Sequence, residues 1–393
     1  MQSRIVLGLM TAALVSAVLT ACGSSNQDAS DRAGKAASTA SATTIRLGSV
    51  LPLTGRSNHS GESMRNGAQL AVDELNAAGG VLGKQIELVI ADDACDPGTA
   101  VTAAQDIVKD GIAVSVGGYC SSAVVPTLRI FRDAGIPMVI AQANSTDLTE
   151  PGYDSVFLIC GTVGAEAVFA VDRIHRLGGT RLAVVHDGTS FSLTLADSSV
   201  AEAKRTTALT ITDEIKLSQG APDYQRIAQT VISGKADTVY FTGYYAEANQ
   251  LIKDLRTQGF RGRIVVGDGA TDGPLLTDLT TAQSTGVYGT ALLFPELMPT
   301  LKEWSARYKA AFGTSPGPST VEAYDAVQVA VDAIRRAGSS EPEAIRQALT
   351  TTDTTVISGK VSFRADGTRT VPTFLLLRAE DQAFVLDPLT DAN

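Results

Sequence analysis

Short apolar runs of β character alternate with segments of helical period through almost the whole chain. That alternation restricts it to parallel sheets covered by helices on both faces. The run "IRLGSVL" from Ile45 leads into a segment where Met64, Ala68 and Leu75 recur at helical spacing until Gly79-Gly80 stops it. "QIELVIA" from Gln85 and a helix to Asp110 follow, then "IAVSVGG" from Ile112 with a helix to Asp133, then "IPMVIA" from Ile136. After Gly164 the pattern restarts with a helix to Leu177. Then come "RLAVVHD" from Arg181, a helix around Leu193 to Lys204, "LTITDEI" from Leu209, a helix over Tyr224 to Ile232, "ADTVYFTG" from Ala236, a helix over Ala246 to Thr257, and "RIVVGDG" from Arg263. Two such sets predict two doubly wound lobes. The remainder predicts a short strand near Val287, helices over Leu301 to Phe312 and Thr320 to Ala337, a shorter one after Glu341, and strand-like runs near Val361, Thr373 and Ala383.

The N-terminus carries an address. Arg4 precedes an apolar stretch from Ile5 to Leu19 that ends in Leu19-Thr20-Ala21-Cys22-Gly23. About fifteen apolar residues before a small-residue cleavage site suit an export signal and fall short of a membrane span. The sequence has the form of a lipoprotein signal over residues 1–22, with Cys22 as the lipidated first residue of the mature chain. From 23 to 44 it is Ser, Ala, Thr, Gly, Asn and Asp with scarcely an aliphatic residue, a composition for a tether. The roughly 350 residues that remain are enough for two domains. With a formal net charge of -10 and no stripe of Lys and Arg, the chain is a poor partner for nucleic acid.

Two turns concentrate the chemistry: "DDACDP" (Asp92 to Pro97) and "GGYCSSAVVP" (Gly117 to Pro126). In both a strand-like run breaks into residues that cap helices, Asp96 before Pro97 and Ser121 with Ser122. A strand end with free N–H groups and a hydroxyl is a place for an anion such as a carboxylate. Export favours a disulfide between Cys95 and Cys120 over two buried thiols, and closing a loop of about 25 residues contributes roughly 3 kcal/mol in the chain-entropy model. Cys160 in "SVFLIC" is left as a small buried hydrophobe.

Enzyme signatures are weak. "GTSPG" at Gly313 to Gly317 joins two helices and places Pro316 after the serine, whereas a nucleophile elbow needs a strand-to-helix turn. His59, His175 and His186 are the only histidines, too few for a supported triad or metal cluster, and "DDACD" lacks the Gly and Glu of a calcium loop. No phosphate-binding loop points to a nucleotide.

The motifs taken together resemble a known family. "GGVLGKQIELVIADDACDP", "YCSS" at Tyr119, "AGIPMV", "VVHD", "YFTGYYAEANQLIKDLRTQG" and "AYDAV" occur in the order and spacing of type I extracytoplasmic solute-binding proteins of ABC transporters, in particular the leucine/isoleucine/valine-binding group. The resemblance implies an α/β fold of two doubly wound Rossmann-like lobes joined by three crossovers, with the ligand held between them. The lobes would be 45–159 plus 292–370, and 160–291 plus 371–393. It also implies a non-enzymatic, monomeric, cofactor-free and metal-free protein, lipid-anchored outside the cell membrane, that hands a small amino acid of branched-chain or related type to permease subunits. A ligand sensor for a signalling partner, or a binder of an amide or other non-amino-acid solute, is the alternative.

Carried over by position, the resemblance puts the ligand carboxylate on Ser121, Gln142 through its backbone and Asn144 through its side chain. The ammonium falls on Asp268, where the group has glutamate, and Tyr244 comes from the second lobe. Competing readings are a solvated turn carboxylate for Asp268 and a plain helix cap for Ser121. The side-chain pocket would include Tyr119, Ser60 and Ser319, the serines replacing aromatic residues, so a more polar pocket than one shaped for leucine is expected. His59 reads as an exposed loop histidine.

Overall fold

The computed structural model describes residues 44–207 and 209–390; the signal region, Cys22 and nearly all of the tether lie outside them. The first five apolar runs form one all-parallel sheet: β1 (Thr44–Leu51), β2 (Gln85–Asp92), β3 (Val114–Ser115), β4 (Met138–Ile140) and β5 (Val156–Leu158), in the order β2-β1-β3-β4-β5. The next five, β6 (Arg181–His186), β7 (Thr210–Lys216), β8 (Thr238–Phe241), β9 (Arg263–Val266) and β10 (Val287–Ala291), are parallel in the order β10-β9-β8-β6-β7. After two more strands in a hairpin, β11 (Asp353–Val356) and β12 (Gly359–Ser362), the chain returns to this second sheet. It adds β13 (Leu375–Glu380) antiparallel to β10, and β14 (Ala383–Leu386) antiparallel to β13.

Helices cover both sheets, which is why strands such as β6 and β8 are buried almost along their length. Asp96 caps the Pro97–Lys109 helix by accepting from Thr99 N at 2.8 Å, a contact typically contributing about 1 kcal/mol. The Asn58–Ala77 helix packs along the Thr320–Ala337 helix, so a segment that follows the second sheet in sequence builds the cover of the first.

The structure departs from the sequence reading in four places, the first being β5, which was not among the expected strands. β3 has two regular residues where a longer run was expected; Val116 N and Gly118 N still donate to Gly48 O and Val50 O of β1, but Gly118 is left-handed at φ 97° and ends the extended backbone. The helix expected to reach Asp133 is broken into Ser121–Val124, a 3-10 turn Val125–Thr127 and Leu128–Asp133, since Pro126 has no N–H to give to the preceding turn. β11 was not anticipated; its Asp-Thr-Thr-Val sequence carries little apolar alternation.

The contact between the two long helices is close enough to require a glycine. A Cβ on Gly67 would lie 2.3 Å from the carbonyl oxygen of Thr320 and 2.9 Å from its methyl group. We predict that Gly67→Val lowers unfolding stability by about 1–3 kcal/mol, the usual range for forcing extra atoms into a packed core. Urea denaturation with an unchanged midpoint would show that the two helices can separate freely there.

Candidate functional site

The carboxyl ends of the parallel strands converge where each sheet's order reverses, the place where open α/β sheets take ligands. From the first sheet come the turns after β1, β2, β3 and β4. After β2, Asp92 Oδ1 accepts from Leu53 N at 2.8 Å and Thr54 N at 3.2 Å, tying the β1 and β2 turns together. Ala94 and Cys95 are left-handed there, at φ 49° and 56°, and Cys95 N is fixed by Asp93 Oδ1 at 2.8 Å. A disulfide joins Cys95 to Cys120 at the end of β3, with Cα atoms 5.4 Å apart.

The centre of the site is Asp268, just past β9 and 7% exposed. One of its oxygens, Oδ2, accepts from Gln142 Nε2 and Asn144 Nδ2, each at 3.2 Å, and both amides come from the turn after β4 in the first sheet. Behind it stands a second carboxylate. Glu166, fully buried in the first turn of the Val163–Arg176 helix, accepts from Asp268 N at 2.9 Å and Thr290 Oγ1 at 2.6 Å through Oε1. Among the described residues its Oε2 and the nearby Tyr240 hydroxyl, both buried, have no hydrogen-bond partner. Desolvation pushes the Asp268 carboxyl well above the usual carboxylate range, and the charge of Glu166 adds to it; desolvation likewise raises Glu166, to about 7. With amides as its side-chain donors, an ionised Asp268 is a buried anion without a counter-cation among the described residues.

Aromatic rings wall this centre. Tyr119 and Tyr244 approach to 6.0 Å between ring centroids, and Tyr244 and Phe191 to 5.5 Å. The inner cavity that Asp268, Asn144 and these rings enclose measures about 10 Å³, so the two sheets' turns are closed upon it. Tyr244 also lines an outer cavity of about 280 Å³, bounded by the disulfide, Arg56, Ser122, Thr189 and Glu247.

Further polar contacts bridge the turns of the two sheets. Arg56 Nη1 lies 2.5 Å from Glu247 Oε1, and the Tyr245 hydroxyl donates to Arg56 O. Ser190 N donates to Ser122 Oγ at 3.0 Å, while Ser190 Oγ donates to Asp147 Oδ2 at 2.6 Å.

Of the residues singled out in the sequence, Tyr119, Gln142, Asn144, Tyr244 and Asp268 meet around one cavity. Ser121 is buried just outside it; its Oγ accepts from Asn144 N and Ser145 N, both at 3.3 Å, and so sets the turn that aims Asn144. Ser60 donates to Asp272 Oδ2 across the cleft and lines neither cavity. Ser319 precedes the Thr320–Ala337 helix at φ 63° and lines neither as well. His59 sits in the first turn of a helix, with Nδ1 2.9 Å from Asp272 Oδ1, and that hydrogen bond raises its pKa. Cys160 is more than a space-filler, since its thiol donates to Gln142 O at 3.3 Å.

Glu166 escaped sequence reasoning although a signal existed, a single acid inside the small and apolar stretch Val163–Val171. Arg56 and Glu247, 191 residues apart, gave no local signal. Among the described residues no group of three or more His, Cys, Asp or Glu could hold a metal ion, and no helix is long and apolar enough to cross a membrane.

Residues 44–383 match the family model described as periplasmic binding protein. An amino acid binding protein of Pseudomonas aeruginosa is 29% identical over 343 residues, spanning 86% of this chain and 91% of its own. A leucine-, isoleucine-, valine-, threonine- and alanine-binding protein of the same organism is 30% identical over 339 residues, spanning 85% and 90%. The solved leucine-binding protein LivK of Thermotoga maritima superimposes with a TM-score of 0.80 at 24% identity, over 87% of this chain and 97% of its own. With a family model spanning both sheets and the turns between them, the chain belongs to the periplasmic binding protein family.

Proposed function

We propose that this protein captures an amino acid between two lobes outside the cell membrane and delivers it to the permease of an ABC importer, without chemical turnover. The observation that carries the reading is the buried Asp268 carboxylate, faced by Gln142 and Asn144 from the opposite sheet and with no cationic side chain paired to it among the described residues. An α-ammonium is the group that such a position lacks. The Asn144 side chain and backbone N–H groups of the turn after β3 then receive the α-carboxylate, and Ser121 holds the turn that aims Asn144. The names of the relatives, which include binding proteins for leucine, isoleucine, valine, threonine and alanine, support an amino acid as ligand.

The sheet membership and the packing of the Thr320–Ala337 helix support lobes of 45–159 plus 292–370 and 160–291 plus 371–393, with three crossings as the hinge. Lipid attachment at Cys22 and monomeric action belong to the same proposal.

Replacing Asp268 by asparagine removes the charge and keeps the shape. Breaking one side of a desolvated charge pair typically costs about 2–5 kcal/mol of binding. Calorimetry should therefore show Asp268→Asn losing at least about thirtyfold in affinity for whichever amino acid binds, at about 1.4 kcal/mol per tenfold. Wild-type affinity in this variant would remove Asp268 from the site and the reading with it.

The same pair sets a pH dependence. Glu166 rises from an ordinary value of 4.5 to about 7 in the folded protein, so between these values the folded state binds more protons than the unfolded chain. Its contribution to stability is present below about 4.5 and is lost as pH rises through about 7. Asp93 and Asp325, raised to about 6, and Glu322, raised to about 7, act with the same sign. The ligand-free protein should thus melt at a lower temperature at pH 8 than at pH 5.5, and Glu166→Gln should shrink that difference without abolishing it. An identical pH profile in the variant would rule out Glu166 as a contributor.

A further inference from the structure

Tyr244 lines both the inner cavity at Asp268 and the outer cavity of about 280 Å³. This is near the low end of small-ligand sites, which begin at roughly 300 Å³. The charged groups in its lining are one ion pair, beside the neutral Ser57, Ser122, Thr189 and Gln219. Glu247 belongs to the Tyr245–Thr257 helix of the second sheet, and its side chain is only 3% exposed; Arg56 reaches it from the turn after β1 and is 57% exposed. The pair is asymmetric in its bonding. Glu247 Oε1 accepts from both Arg56 Nη1 and Gly220 N, the latter at 3.1 Å, whereas no donor among the described residues reaches Oε2. The remaining guanidinium nitrogens of Arg56 likewise have no acceptor among the described residues.

We propose that this pair selects the ligand's side chain, favouring an amino acid that ends in a neutral group able to donate and accept hydrogen bonds, a carboxamide or a urea. The proposal rests on the amino-acid reading above and adds the chemistry of the side chain. An aliphatic side chain trapped here would strip water from the spare Glu247 oxygen and the spare Arg56 donors and return nothing to them. A cationic side chain would meet Arg56, and an anionic one Glu247, with Asp187 behind the Gln219 amide that it holds at 3.1 Å. A planar NH2 and C=O together satisfy both partners without adding charge to a closing cavity. Discrimination rests on Glu247, whose side chain is 3% exposed, because a desolvated polar group rejects a ligand that leaves it unpaired more strongly than an apolar pocket rejects a misfit.

Isothermal titration of the full-length chain in detergent, with glutamine, citrulline, leucine, lysine and glutamate as probes, tests it. Glutamine or citrulline should bind at least tenfold more tightly than the other three, and Glu247→Ala should narrow the preference over leucine to less than threefold. Circular dichroism melting reports whether that variant is folded; if it is not, Arg56→Ala, at an exposed position, carries the same expectation. Leucine matching or exceeding glutamine, or a folded variant keeping the tenfold preference, would overturn the side-chain selection. If leucine then still depends on Asp268, the amino-acid reading stands alone. Failure of every probe to bind the wild-type chain would overturn both.

Discussion

A carboxylate that cannot be solvated organises this molecule. Asp268 is held away from water with only amide donors against one of its oxygens, and a second buried acid, Glu166, fixes its backbone from behind. Neither group is comfortable in its charged form, and desolvation raises the pKa of both. The rest of the structure brings this unfavourable arrangement together: the end of β9 supplies the acid, the turn after β4 supplies the amides, and aromatic rings from both sheets exclude solvent. A fold that concentrates cost at one point has a ready use for a ligand that relieves it, since binding energy can then offset the work of closing.

The contacts that bridge the two sheets' turns are of a different kind. They are short polar side chains and a half-exposed arginine, with Ser190, Ser122, Asp147 and Arg56 among them. Ser190, Ser122 and Asp147 are partly buried, and the arginine's partner Glu247 is 3% exposed, so these bridges combine contacts open to water with one whose acid is desolvated.

The layered fold was legible in the sequence because its signals are local: a buried parallel strand is an unbroken apolar run, and Asp96-Pro97 announces a helix start in two residues. Its details were less so. Pro126 interrupts a helix whose periodicity otherwise continues, and β11 has too little hydrophobic contrast to register. For the site, Asp268, Asn144, Tyr119 and Tyr244 were found through family pattern, and the structure gathers them around one cavity. Ser60, expected by the same route, donates to Asp272 and lines neither cavity. Glu166 is one polar position in a helix of ordinary period, and only the packing of the β9 end and β10 against it, through Asp268 N and Thr290 Oγ1, makes that face an interior. Arg56 and Glu247 are paired by topology across most of the chain, which no local reading of either segment conveys.

Cys160 bears on the durability of the site. It is the one free cysteine among the described residues, and it sits against the turn after β4, in the same sheet whose β2 and β3 turns are held by a disulfide. In an oxidising compartment a loose thiol in such company invites exchange, in which a thiolate attacks the neighbouring bridge and scrambles it. Here the thiol is buried, donates to the carbonyls of Gln142 and Ala143, and has its pKa raised by desolvation and by the negative charge of Asp268. It lacks both the ionised form and the access that attack requires. Burial, with the negative charge of Asp268 added to it, thus keeps the one free thiol among the described residues un-ionised, and the packing that shuts water out of this centre also guards the Cys95–Cys120 crosslink.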